Sequence, residues 1–236
     1  MRNFLAMRAR ALRSWFLREA KSEIRAYQQL EWVTRSLKTP IPSTVVSLQP
    51  TTINWIVNDI VINRRRAILE LGAGTSTQIV AQCLRQLRVN DGLARTFVSV
   101  EENADWVAHL QRIIAADGNT DFVRLEHVPR AQGPGGFWYD EQRLNAVLGE
   151  LRPDVLVIDG PAIKRVKQTA DRSRVYAFFR DRMAPGGYII FVDDTIRAAE
   201  RQLAEEWGRY AGVRPIYWNA YLGVISVGPG FTSMPN

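Results

Sequence analysis

The sequence predicts an α/β domain built on a doubly wound, mostly parallel sheet, preceded by an N-terminal helical extension. Three observations predict it. Ile68-Leu69-Glu70-Leu71 runs into Gly72-Ala73-Gly74 and then into Thr75-Ser76-Thr77, which reads as strand, tight glycine turn and helix start. Val155-Leu156-Val157-Ile158 is apolar without alternation, as expected of a strand covered on both faces. Strand-like runs then alternate with helix-period runs along most of the chain.

The bulk numbers bound the possibilities. The chain has 236 residues and is 46% hydrophobic, enough for one substantial core. The division expected is an extension with linker over 1–49 and an α/β domain over 50–236. A single cysteine, Cys83, excludes an internal disulfide framework and fits a reducing compartment. No run is apolar enough to span a bilayer, and arginines interrupt the early apolar residues where a signal peptide would need continuity. The expected location is the cytoplasm. Residues 1–40 carry nine Lys/Arg against three acids, so they hold six of the seven net positive charges. The rest is near neutral, which argues against a body wrapped by nucleic acid.

Residues 3–37 read as one or two helices with Leu5, Leu12 and Phe16 on one face and Ile24, Tyr27 and Leu30 on another. Such a basic helix suits a cap over the sheet edge, self-association, or attachment to an anionic membrane. Pro40-Ile41-Pro42 ends it. Thr51-Thr52 are read as the cap of a helix through Ile60, and Ala67 to Leu71 as strand one. Phe97 to Val100 is the next strand, closed by Glu101, and Ala104 to Ala115 a helix that includes Trp106. Phe122 to Val128 alternates as a third strand. Gln132 to Tyr139 reads as a glycine-rich loop with an aromatic cluster, either a lid or a surface loop. Asp154 to Pro161 is strand four, residues 164–182 a basic helix, and Tyr188 to Val192 strand five, ending in Asp193-Asp194. A helix from Arg197 to Tyr210 leads to two short strands, Val213 to Trp218 and Tyr221 to Val227.

Glu70, two residues before the first glycine of the turn, is a charge at the end of a strand that ought to be buried, so it needs partners. The pattern Glu70-x-Gly72-x-Gly74-x-Ser76 resembles the first motif of class I S-adenosylmethionine-dependent methyltransferases. The resemblance extends over roughly residues 50–228 through Glu101, Asp159-Gly160-Pro161, and Gly186-Gly187 followed by Asp193-Asp194. It implies a Rossmann-like, seven-stranded sheet whose last strand is antiparallel. It also implies that Glu70, Gly72, Ala73, Gly74, Ser76, Thr77 and Asp159 surround the cofactor, and that Glu101 accepts hydrogen bonds from its ribose. Residues just past the third strand border the adenine in that family, which makes His127 and Val128 candidate contacts. A dinucleotide-binding turn would place a third glycine where Thr77 stands.

Asp159 with Asp193 and Asp194 resembles the divalent-metal site of catechol-type O-methyltransferases, except that their third ligand is asparagine. Three neighbouring carboxylates suit Mg²⁺ or a similar hard cation, which would lower the pKa of a bound hydroxyl. The alternative is that Asp159 borders the cofactor while Asp193 and Asp194 cap the next helix. Lys164 is the candidate base, at wider spacing from Asp159 than the corresponding lysine has in the catechol enzymes. The implied activity is methylation of a hydroxyl on a small-molecule or glycan-like acceptor. Two other readings stay open: a non-catalytic cofactor-binding module attached through the N-terminal helix, and a nicotinamide-dependent oxidoreductase.

Overall fold

The computed structural model describes residues 2–133, 136–162 and 174–235, with side chains from residue 17 onward except residue 18. A long helix, α1 (Arg2–Thr34), is followed by α2 (Pro50–Ile62) and then by the sheet. Strands β1 (Ala67–Leu71), β2 (Thr96–Glu101) and β3 (Arg124–His127) are linked by helices α3 (Thr75–Asp91) and α4 (Ala104–Asp117). A hairpin of β4 (Arg130–Gly133) and β5 (Gly136–Tyr139) precedes α5 (Glu141–Leu148) and β6 (Val155–Ile158). Then come α6 (Arg174–Phe179), β7 (Tyr188–Val192), α7 (Ala198–Ala211), β8 (Ile216–Tyr217) and β9 (Gly223–Val227).

The main sheet has seven strands in the order β3-β2-β1-β6-β7-β9-β8, and β4 pairs with β5 separately. β1, β2, β3, β6 and β7 run parallel, while β9 inserts antiparallel beside β7. The order reverses between β1 and β6. The helices that follow these two strands, α3 and α6, pack on opposite faces of the sheet, and a crevice at such a point is where open α/β sheets bind ligands.

The central strands β6 and β7 are apolar along their length because both faces are covered. Ile68, Phe97, Val155, Val157, Ile189 and Phe191 enter one core with residues of α1 to α4. Leu69, Leu71, Val98, Leu156, Ile158 and Ile190 enter a second core with α5, α6 and α7. Neighbours in one strand thus supply opposite faces, as the two-residue period demands. Each fully buried Leu, Ile or Val contributes about 1.5–3 kcal/mol, so the sheet centre is the rigid part on which the crevice stands. Leu30 and Val33 of α1 share the first core, so the C-terminal part of that helix packs with the α/β body.

Several boundaries differ from expectation. Gln49, not a threonine, precedes α2, and Pro50 opens it. Thr51 is engaged elsewhere, donating its hydroxyl to Glu23 at 2.6 Å. A 3₁₀ turn at Thr120–Phe122 takes Phe122, the first residue expected in strand three, which begins at Arg124. The glycine-rich stretch is the β4–β5 hairpin instead of a loop, and Trp138 and Tyr139 are buried in the second core. Of the helix expected over 164–182, Arg174–Phe179 is seen, while 163–173, including the candidate base Lys164, lies outside the described residues.

Candidate functional site: the crevice at the carboxyl edge of the sheet

The glycine turn is fixed from below by Glu70. Its carboxylate is 1% exposed and takes hydrogen bonds from Ser76 Oγ, from Thr77 Oγ1 at 2.5 Å and from Ser99 Oγ at 2.6 Å. Burial pushes its pKa up, and the three hydroxyl donors pull it back. Thr77 Oγ1 also accepts from Gly74 N at 2.9 Å, which satisfies a donor at the start of α3. Ser76, Thr77 and Glu70 are therefore tied to one another inside the fold and do not line the crevice. Glu70, Ser76 and Thr77, expected from the sequence to surround the cofactor, form a clip joining β1, β2 and the start of α3. The physical reason is that a buried carboxylate is satisfied by the nearest donors, and α3 presents two of them.

Gly72 has φ +98° and lies against the end of β6. A Cβ there would stand 2.7 Å from Gly160 N and 3.0 Å from the Asp159 carbonyl carbon. The glycine is required by backbone-on-backbone packing as well as by the turn. A Cβ at Gly74 would meet nothing within 4 Å, and Gly74 does not line the crevice.

The crevice has a volume of about 620 Å³. Gly72 and Ala73 from the turn, Glu101 to Asn103 from the end of β2, and Trp106 from α4 form one wall. Asp159, Gly160, Asp193, Asp194 and Arg197 form the other, with Tyr221 and residues 44–47 at the mouth. Glu101 is 8% exposed; its carboxylate accepts from Ala73 N at 3.2 Å and Asn103 N at 2.9 Å. Burial, then the charge of Glu102, raises its pKa to about 8. Trp106 Nε1 donates to Ala73 O at 2.8 Å, so both polar groups of the Ala73 backbone are held by the β2–α4 region.

The structure thus brings Gly72, Ala73, Glu101, Asp159, Asp193 and Asp194 together. It also adds residues that sequence reasoning passed over. The segment read as a linker contributes Thr44, Val45, Val46, Ser47 and Gln49, fastened where Thr75 Oγ1 reaches Pro42 O and Ser47 Oγ. Trp106 and Arg197, read from the sequence only as parts of helices, also line the crevice. The proline pair and the exposed Val45-Val46 dipeptide were the signals available for this segment. His127 is engaged with the backbone, its Nε2 lying 3.2 Å from Glu102 O, and Val128 is buried in the second core.

The metal expectation is not met. Among the described residues no group of three His, Cys, Asp or Glu is arranged to hold a metal ion. Asp194 takes φ +61°, and its Oδ2 is paired with Arg197 Nη1 at 2.8 Å. The Arg197 guanidinium thus already neutralises one of the three carboxylates expected to hold a divalent ion.

No family model and no curated protein matches the sequence. Solved structures do match in fold. The O-methyltransferase TomG of Streptomyces achromogenes, involved in tomaymycin synthesis and in complex with SAM, is 14% identical. The match covers 86% of this chain and 90% of that one, with a TM-score of 0.51. The chain has the fold of a methyltransferase. An O-methyltransferase from Bacillus cereus in complex with SAH matches at 16% identity over 87% and 89% of the two chains, with a TM-score of 0.51. An SAH-bound methyltransferase of Podospora anserina matches at 13% identity over 92% and 96%, with a TM-score of 0.53. In this methyltransferase fold the crevice described above is the one between the reversing strands.

Proposed function

We propose that this protein is an S-adenosylmethionine-dependent methyltransferase acting on a hydroxyl of a small-molecule or glycan-like acceptor. The observation that carries the reading is Glu101. A buried carboxylate ends β2, bonds to the glycine turn and lines the crevice at the point where the strand order reverses. All three of the solved structures described above are bound to SAM or SAH, and two are O-methyltransferases.

The residues present fit such a cofactor. Gly72 and Ala73 leave room beside the turn, Glu101 offers acceptors for vicinal hydroxyls, and Trp106 adds an aromatic wall. When bound, S-adenosylmethionine supplies an electrophilic methyl group on a sulfonium. The chain itself orients the acceptor, shields it from water and removes its proton. Asp159, at the end of β6 and in the crevice wall, is the group proposed to take that proton; Lys164 is the other candidate. No step is assigned to a divalent ion, and full activity is expected in excess chelator.

The remaining partner is the N-terminal helix. We assign it a role in self-association or in contact with an anionic membrane, and the protein to the cytoplasm, free or at that membrane. Among the described residues no helix is long and apolar enough to cross a bilayer.

Titration calorimetry tests the reading. S-adenosylmethionine is expected to bind, and Glu101→Ala to weaken it at least about ten-fold, the loss of one charge-assisted contact. A purified chain that ignores the compound at millimolar supply would remove the assignment.

A further inference from the structure

Two adjacent carboxylates close the end of β2, and each reaches a different wall of the crevice. Glu101 bonds to the backbone of Ala73 and Asn103. Glu102 Oε1 accepts from the backbone N–H of Ala162, just beyond β6, at 3.1 Å. Among the described residues the buried Glu102 Oε2 has no hydrogen-bond donor, although it belongs to a side chain within hydrogen-bond reach of Glu101. A buried acceptor without a donor is costly. One proton held between the two carboxyl groups supplies the donor, as in other close carboxylate pairs that cannot both ionise.

We propose that Glu101 and Glu102 share one proton in the ligand-free crevice, and that Glu102 is a positioning residue through which cofactor binding is tied to release of that proton. This rests on the cofactor reading above. While the proton is shared, part of the Glu101 carboxyl is engaged with Glu102. Vicinal hydroxyls and a cationic ligand both favour the ionised form, so binding breaks the shared O–H and delivers the proton to the solvent buffer. The elevated pKa of Glu101 agrees with this arrangement. Among the described residues the charged and titratable groups around the pair are few. His127 on β3 faces the Glu102 carbonyl, and Arg130 on β4 reaches the carbonyl of Ala162 at 3.4 Å. Asp105 lies in the first turn of α4, and Asp159, Asp193, Asp194 and Arg197 line the opposite wall.

Two measurements test the proposal. The first is a carbon-13 NMR titration of the glutamate carboxyl groups in the ligand-free protein, which separates them from the His127 ring. The second is calorimetry with S-adenosylhomocysteine near neutral pH in phosphate and in Tris, whose ionisation heats differ. In the wild-type protein one glutamate is expected to titrate near pH 8, and binding to release about one proton, with affinity rising up to about ten-fold per pH unit below that point. Glu102→Gln keeps the bond to Ala162 and gives Glu101 a neutral donor. It is expected to move the titration down from about 8 without removing the part due to burial, to reduce proton release and to flatten the pH profile of affinity. Wild-type carboxyl groups that all titrate in the ordinary range would overturn the proposal. So would a Glu102→Gln variant with unchanged titration and unchanged release. A titration near pH 8 without any binding heat at millimolar S-adenosylhomocysteine would overturn the coupling and the cofactor reading together, while leaving the shared proton in place.

Discussion

Glu70 and Glu101 are both buried acids at strand ends, yet they do different work. Glu70 has three hydroxyl donors and no access to the crevice, so its role is to hold β1, β2 and α3 together. Glu70→Ala strands those hydroxyls and is expected to cost about 2–3 kcal/mol by urea unfolding. Glu70→Gln, which can still pair with hydroxyls, should retain most of that stability. Glu101 instead titrates within reach of neutral pH. Its folded-state pKa is raised from 4.5 to about 8, so the folded protein binds the proton more tightly than the unfolded chain. The resulting stabilisation is full below about pH 4.5 and is lost as pH rises through about 8. Thermal melts of the ligand-free protein should therefore fall across this window relative to Glu101→Gln, by at most about 1.4 kcal/mol per pH unit.

The turn after β1 shows how two glycines in one motif carry unequal weight. Gly72→Ala places a Cβ 2.7 Å from the backbone of Gly160 at a φ that side chains rarely adopt. It is expected to cost more than about 2 kcal/mol and to abolish cofactor binding. Gly74→Ala meets open space and should leave folding and binding within about two-fold of wild type. Both readouts follow from one calorimetric and one denaturation series. This contrast was invisible in the sequence, where the two glycines look alike. The strands themselves were legible. Ala67–Leu71 and Tyr188–Val192 match the expected spans because short apolar runs ending in turn residues leave little other way to bury both faces. The β4–β5 hairpin was not, since its glycines mask the alternation that Phe137, Trp138 and Tyr139 would otherwise display. Half of the crevice was legible for a related reason. Gly72, Glu101 and Asp159 sit at strand ends that sequence can locate, whereas Val45, Val46 and Arg197 reach the crevice through tertiary folding alone.

The N-terminal segment and the sheet meet at the first turn of α3. From one side Ser76 and Thr77 bind Glu70 of β1. From the other, Gln78 Nε2 donates to Asp117 at 2.7 Å. Asp117 is fully buried at the end of α4 and also accepts from Lys38 N, Thr39 N and Thr39 Oγ1, which anchors the chain between α1 and α2. That chain continues over the crevice mouth as residues 44–47. The start of α3 is thus clamped between two buried carboxylates held by consecutive residues, Thr77 and Gln78. Asp117→Ala removes a buried acceptor from four donors and is expected to cost about 2–4 kcal/mol. It should also expose residues 40–47 to limited proteolysis and weaken cofactor binding without touching the cofactor site. Because both clamps act on one helix turn, their losses should not add. Once either is released, the turn frays and the other has less to hold. The double variant Glu70→Ala/Asp117→Ala is expected to fall short of the summed single costs by at least about 0.5 kcal/mol in urea unfolding. Strict additivity would show that the sheet and the N-terminal segment grip α3 independently, and that the crevice mouth is coupled to the glycine turn by proximity alone.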